Sequence, residues 1–200
     1  MKNSAFAEVV ESSLNTWQGH CWQWDDFPQF GALVTITTPA RTFFGIVSQI
    51  QTGSLDPARA PFPFGKTEEE LAKEQPQIFA FLKTTFACTV VGYEENGTLN
   101  YQWPPEPPKI HAFIHRASDE HYRRFFAGEQ YIHPLFGSAA SLPSLDELLL
   151  ALLKQLSHRN LLTQEKINQF VEHFSLLTGN DYRRLKLFLQ RVSTMLPPLE

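Results

Sequence analysis

Cysteine is scarce in this chain. Cys21 and Cys88 are the only two, they lie far apart, and they form no CxxC pair. That spacing excludes a disulfide scaffold and a thiolate zinc site. No run of residues approaches the roughly 18 apolar positions that a membrane span requires. No basic start followed by an apolar stretch opens the N-terminus, so a reducing, cytoplasmic setting without a membrane partner is the expectation. Positive charge is also short. Seventeen Lys and Arg against 21 Asp and Glu leave a net charge of −4 and a pI near 6.0. A protein charged this way is poorly suited as a whole to nonspecific nucleic-acid binding. The shortage is uneven, with 10 basic against 15 acidic residues in 1–142 and 7 against 6 in 143–200.

Aromatic side chains, by contrast, are abundant: 17 Phe, 5 Tyr and 4 Trp make up 13% of the 200 residues. Together with 42% hydrophobic content they suit a β-rich core or a partner-binding face. Residues 4–14 allow a short helix through Phe6, Val9, Val10 and Leu14. The next stretch gathers Trp17, Trp22, Trp24, Phe27 and Phe30. These aromatics read either as the closure of one end of a barrel or as an exposed anchor for a partner. Strands are expected over residues 32–38 and 41–51, with Gly45 marking a bulge or tight bend. Residues 52–66 are a loop. Thr67 with Glu70 forms a capping box that opens a helix, and Pro76 opens a second helical piece. Residues 85–93 are a strong strand, the Glu95-Asn96-Gly97 signal turns it back over 98–103, and 110–115 is the last strand. Residues 116–142 connect to a region of helical periodicity. There Ser144 and Thr163 cap two helices, and a third runs from about 181 to 195.

The expected fold is therefore α+β. An N-terminal helix and aromatic segment (1–29) precedes a small β-barrel (30–115) with a helical insertion at 67–83. A connector (116–142) then leads to an all-α three-helix domain (143–200).

Residues 60–67 match the loose form of a phosphate-binding loop, ending in Gly65-Lys66-Thr67. Such a loop points consecutive backbone N–H groups at phosphate oxygens. Pro61 and Pro63 have no N–H, and no apolar strand leads in, so no nucleotide is expected there. His111, His115, His121 and His133 cluster in sequence, yet their alternation describes the solvated face of an edge strand as well as it describes a metal site. The run Glu68-Glu69-Glu70 lies in a helix's first turn, where negative charge is favoured. No triad or nucleophile arrangement has local support. No catalytic residue, metal, cofactor or small-molecule ligand is expected.

Two segments suit an interface. Asp56, Arg59 and Lys66 are charged positions among Phe62 and Phe64 in the loop. In the last helix Arg183, Arg184, Lys186 and Arg191 share one side, opposite Leu185, Phe188, Leu189, Val192 and Met195. That pattern reads as an ordinary solvated face, or as a docking face for nucleic acid or an acidic partner.

The strand Gly31-Ala32-Leu33-Val34-Thr35-Ile36, the strand Phe43 to Ile50 with its inner Gly45, and the later Pro104-Pro105-Glu106-Pro107-Pro108-Lys109-Ile110-His111 resemble the HAS-barrel module of HerA-type helicases and rotary ATP synthase subunits. The resemblance covers residues 30–115. It implies a non-catalytic barrel that sits on a ring ATPase and binds accessory factors. In that family an ATPase domain follows the barrel, whereas here the phosphate loop, the magnesium-binding strand and the arginine finger are missing beyond Ile110. No catalytic residue carries over. The resulting expectation is an adaptor that binds a protein partner, either a ring ATPase or DNA-processing machine or its own copy. The alternatives are a nucleic-acid-binding module using the last helix, a structural subunit of a homo-oligomer, and, least favoured, a nucleotide-binding enzyme.

Overall fold

The computed structural model describes residues 5–56, 58, 61–179 and 181–195. Among these residues seven strands form one antiparallel sheet: β1 (Ala5–Ser12), β2 (Thr16–Cys21), β3 (Leu33–Thr37), β4 (Arg41–Ser54), β5 (Leu82–Glu95), β6 (Thr98–Asn100) and β7 (Phe113–Arg116). Their order is β2-β1-β7-β3-β4-β5-β6, and β2 also pairs with β5. That last pairing closes six strands into a barrel, with β6 as a hairpin flap on β5.

Residues 4–14 are thus not the helix their apolar spacing suggests. They supply β1, and the first aromatics supply β2. The barrel begins at Ala5 rather than near residue 30. The last strand is also displaced, to Phe113–Arg116, because His111 turns the chain with a positive φ of 66°. The turn expected at Asn96-Gly97 is present, with φ of 51° and 78° at the two positions, the left-handed pair that a tight hairpin needs.

Strands β3, β4 and β5 are buried on both faces, so their sequences read as continuous apolar runs rather than alternations. One face fills the barrel with Phe6, Val9, Trp17, Ile36, Val47, Phe86, Cys88, Val90 and Ile114. The other face, with Leu33, Phe44, Ile46 and Val91, belongs to a second buried cluster that continues into the helices. Gly45 allows the barrel to fill. A Cβ there would meet the Trp17 ring at 2.4 Å. The register shifts between Phe44 and Gly45, but the extra residue is Val91, so the bulge lies in β5 opposite Gly45 rather than in β4.

Helix α1 (Glu68–Glu74) has the expected Thr67/Glu70 capping box and leads into a 3-10 turn at Pro76–Phe81. Helix α2 (Asp119–Phe125) starts at a Ser118/His121 capping box. It is pinned to the barrel by the Tyr122 hydroxyl, which accepts from the buried Leu33 N–H at 2.8 Å, and by Phe125, whose ring lies tilted 4.8 Å from that of Phe44. A short α3 (Ile132–Gly137) follows. Helices α4 (Leu145–His158), α5 (Gln164–Leu177) and α6 (Tyr182–Met195) complete the chain, with Ser144 and Thr163 capping α4 and α5 as expected. Phe170 and Phe174 of α5 lie against Phe188 of α6, with ring centroids 5.8 and 4.9 Å from it.

Candidate docking surface

An open groove of about 650 Å³ lies where the β1–β2 hairpin meets the far end of the β4–β5 ribbon and the 3-10 turn. Its walls are aromatic. Trp24 stacks on Phe79 at 5.7 Å, and Trp22 meets Phe113 edge-on at 5.5 Å. The Trp22 indole donates to Glu8 Oε1 at 3.1 Å, and Glu8 Oε2 lies 3.2 Å from His111 Nδ1. The main chain at Trp24 is held by the Thr84 hydroxyl, which donates to its carbonyl. These bonds orient rings that the core does not bury. Trp22 is 50% exposed, and Phe113 beside it is exposed too.

The groove is acidic. Glu8 and Asp25 line it, and among the described residues its lining holds His20 and His111 but no Lys or Arg. Asp25 has no partner among the described residues. Burial, reinforced by Asp26, pushes the Cys21 thiol up to about 12. It is therefore a protonated wall group rather than a thiolate nucleophile. Flat aromatic faces beside carboxylates suit a lysine or arginine flanked by apolar side chains.

The loop residues singled out from the sequence lie elsewhere. Phe62 and Phe64 touch edge-to-face at 5.9 Å and are both exposed. Lys66 is ion-paired to Glu74, and Asp56 Oδ1 accepts from the Ala58 N–H at 2.9 Å. Arg59 lies outside the described residues. In α6 the four basic positions divide. Arg184 grips Asp146 with Nη2 at 2.6 Å and also lies over the Phe174 ring, while Arg191 reaches Glu147 at 2.7 Å. Both therefore tie α6 to the acidic first turn of α4, which leaves Arg183 and Lys186 without a bonded carboxylate among the described residues. Two of the four cations on this face are thus engaged within the protein.

The four clustered histidines also separate. His121 closes the α2 capping box, His111 pairs with Glu8, His115 lies in β7, and His133 meets His173 edge-on. Among the described residues no three His, Cys, Asp or Glu gather as metal ligands. No described helix is long and apolar enough to cross a membrane.

One buried acid sits apart from the groove. Glu129 is 5% exposed, and burial pushes its carboxyl above the usual range, against the opposing pull of a hydrogen bond from Tyr131 and the charges of Lys166 and His173. The folded state therefore favours the protonated form. Stability from this group is full at low pH and falls as pH rises from the ordinary carboxylate range through the raised value. Glu129→Gln is expected to melt above the wild type near pH 7 and level with it near pH 4. An equal difference at both pH values in thermal melts would refute the assignment.

Sequence reasoning left the groove's tryptophans open between closing a barrel end and anchoring a partner, and gave no sign of the groove itself. Its walls come from residues 8–10, 20–25, 55, 79–82 and 111, and only the folded barrel brings these together. No family model matches this chain, and no curated protein matches it in sequence.

Proposed function

We propose that this protein is a non-catalytic adaptor that docks a protein partner through the aromatic, acidic groove at the end of its barrel. The partner presents a segment in which Lys or Arg is flanked by apolar side chains. The observation that carries this reading is the pair Trp22 and Trp24, oriented by hydrogen bonds and stacking yet left accessible beside Glu8 and Asp25. An aromatic held in place but not buried is the usual anchor of an interface. The resemblance of residues 30–115 to the HAS barrel adds a setting: a cytoplasmic ring ATPase or DNA-processing machine as the binding partner. In this reading α4, α5 and α6 form a three-helix bundle that shares a buried cluster with the barrel, supported by the Phe170, Phe174 and Phe188 contacts and by the ties of Arg184 and Arg191 to α4.

The test is affinity capture of the full chain from cell extract with and without nuclease, followed by mass spectrometry. Wild type is compared with Trp22→Ala, with Asp25→Lys, and with Phe62→Ala as a control outside the groove. A nuclease-resistant protein held by wild type and Phe62→Ala should fall at least about tenfold in both groove variants, the loss expected for one anchor. Equal capture by all four proteins would exclude the groove. Loss of everything on nuclease treatment would move the argument to Arg183 and Lys186.

A further inference from the structure

The outer edge of β4 is unusually bare. Strand β3 covers β4 only as far as Ile46, and residues 31–32 extend the cover to Val47, whose N–H and C=O bond to Ala32 and Gly31. Past the bulge between Val47 and Gln49, β4 runs on to Ser54 with β5 alone as its neighbour. The hydrogen-bonding phase of this stretch follows from its far end. Leu55 N–H donates to the Phe81 carbonyl at 2.8 Å, so in the same antiparallel register Gly53, Gln51 and Gln49 also face β5. The side-chain contact of Thr52 with Thr84 at 2.9 Å fits the non-bonded pairs in between. The N–H and C=O groups of Ile50, Thr52 and Ser54 therefore point away from the sheet. No described residue bonds them.

Natural edge strands are blunted with lysine, proline, inward charge or a covering loop. Residues 49–54 are Gln-Ile-Gln-Thr-Gly-Ser, with no charge and no proline. Both irregularities of the β4–β5 ladder lie before the bare stretch.

We infer that this edge pairs with the same edge of a second copy of the chain, antiparallel about a two-fold axis at Thr52. The register supports that occupant. A two-fold at Thr52 sets Thr52 against Thr52 and Ile50 against Ser54, so every outward N–H meets an outward C=O. This gives about six backbone hydrogen bonds, one from each of three outward N–H groups per copy. No like charges oppose each other, because the segment has none. Gly53 offers no Cβ, and the space beside it is open, so the strands approach unobstructed. This surface is distinct from the groove, and the inference does not depend on it.

The test is sedimentation equilibrium of the full chain at roughly 1–100 μM, a span that brackets micromolar dimers. Wild type is expected as a dimer. Thr52→Pro removes an N–H that β5 does not use, and should weaken the dimer at least about tenfold with an unchanged circular dichroism spectrum. Because that change also removes the Thr52–Thr84 contact, Gln51→Lys provides a second reading. It leaves the fold's own bonds intact and brings two ammonium groups near the axis. Its dimer should be weaker by a similar factor and recover in high salt. If Thr52→Pro fails to fold, Gln51→Lys alone decides. A wild type that is monomeric throughout, or a dimer indifferent to Gln51→Lys, overturns the inference. A monomer that instead takes up a strand from another protein at this edge overturns the choice of occupant.

Discussion

Gly45→Ala is expected to destabilise the barrel by about 2 kcal/mol, seen as a fall of roughly 4–8 °C in the melting midpoint. The cause is the Trp17 ring. It is 1% exposed inside the barrel, and two of its carbons lie where the new methyl would go. The other neighbour, Cys88 Cβ, stands 3.0 Å from the same point, so the ring has no easy retreat. Trp17→Ala should be worse, about 3–5 kcal/mol, because it empties the largest side chain from the core. The informative protein is the double variant Gly45→Ala with Trp17→Phe. The smaller ring vacates the space the methyl needs, so the two losses should sum to less than their separate values. Strictly additive losses in denaturant titrations would show that Gly45 serves the bulge alone and not the ring.

Phe125→Ala is expected to cost about 3–5 kcal/mol and to lower the stability of barrel and helices together. Phe125 is fully buried where the two meet. Its ring lies 4.8 Å from Phe44 of β4, 5.1 Å from Tyr101 and 5.3 Å from Phe126. The Tyr101 hydroxyl donates to its carbonyl at 2.6 Å. The same buried cluster runs from Leu33 and Val91 to Phe174 and Val192. The chain reports on the two parts separately. All four tryptophans lie within the first 103 residues, while the three long helices lie beyond residue 144. Tryptophan fluorescence and helical circular dichroism should therefore fall in one coincident transition, in wild type and in the variant. Two separate transitions, with only the helical one moved by Phe125→Ala, would mean that the helices fold on their own.

Local signals were legible where a single turn of chain decides the outcome. The capping pairs at Thr67, Ser144 and Thr163 accept the N–H three residues on, and the Asn96-Gly97 turn adopts its left-handed pair. The strand around residues 85–93 also stands where its β-branched and aromatic content puts it. Residues 4–14 misled for a physical reason. A bulge between Val9 and Glu11 and burial of both Phe6 and Ala7 break the two-residue alternation, leaving an apolar spacing that imitates a helix. The edge of β4 was half legible. Its neutral composition is plain in the sequence, but its bareness depends on where β3 stops.

The sequence by itself determined the local elements: which residues cap, which turn, and which runs are apolar enough to be strands. It also set the negative net charge and the lack of a CxxC pair, because those depend on composition and spacing alone. Only the tertiary structure decided that β1 and β2 close the barrel, since pairing partners far apart in the chain outweigh weak local preference. The same closure brought Glu8, Trp22, Trp24 and Phe79 into one groove, and spent Arg184 and Arg191 on α4 rather than on a ligand. A charge on a helix face is only a partner available in principle. Which neighbour takes it is settled when the helix packs.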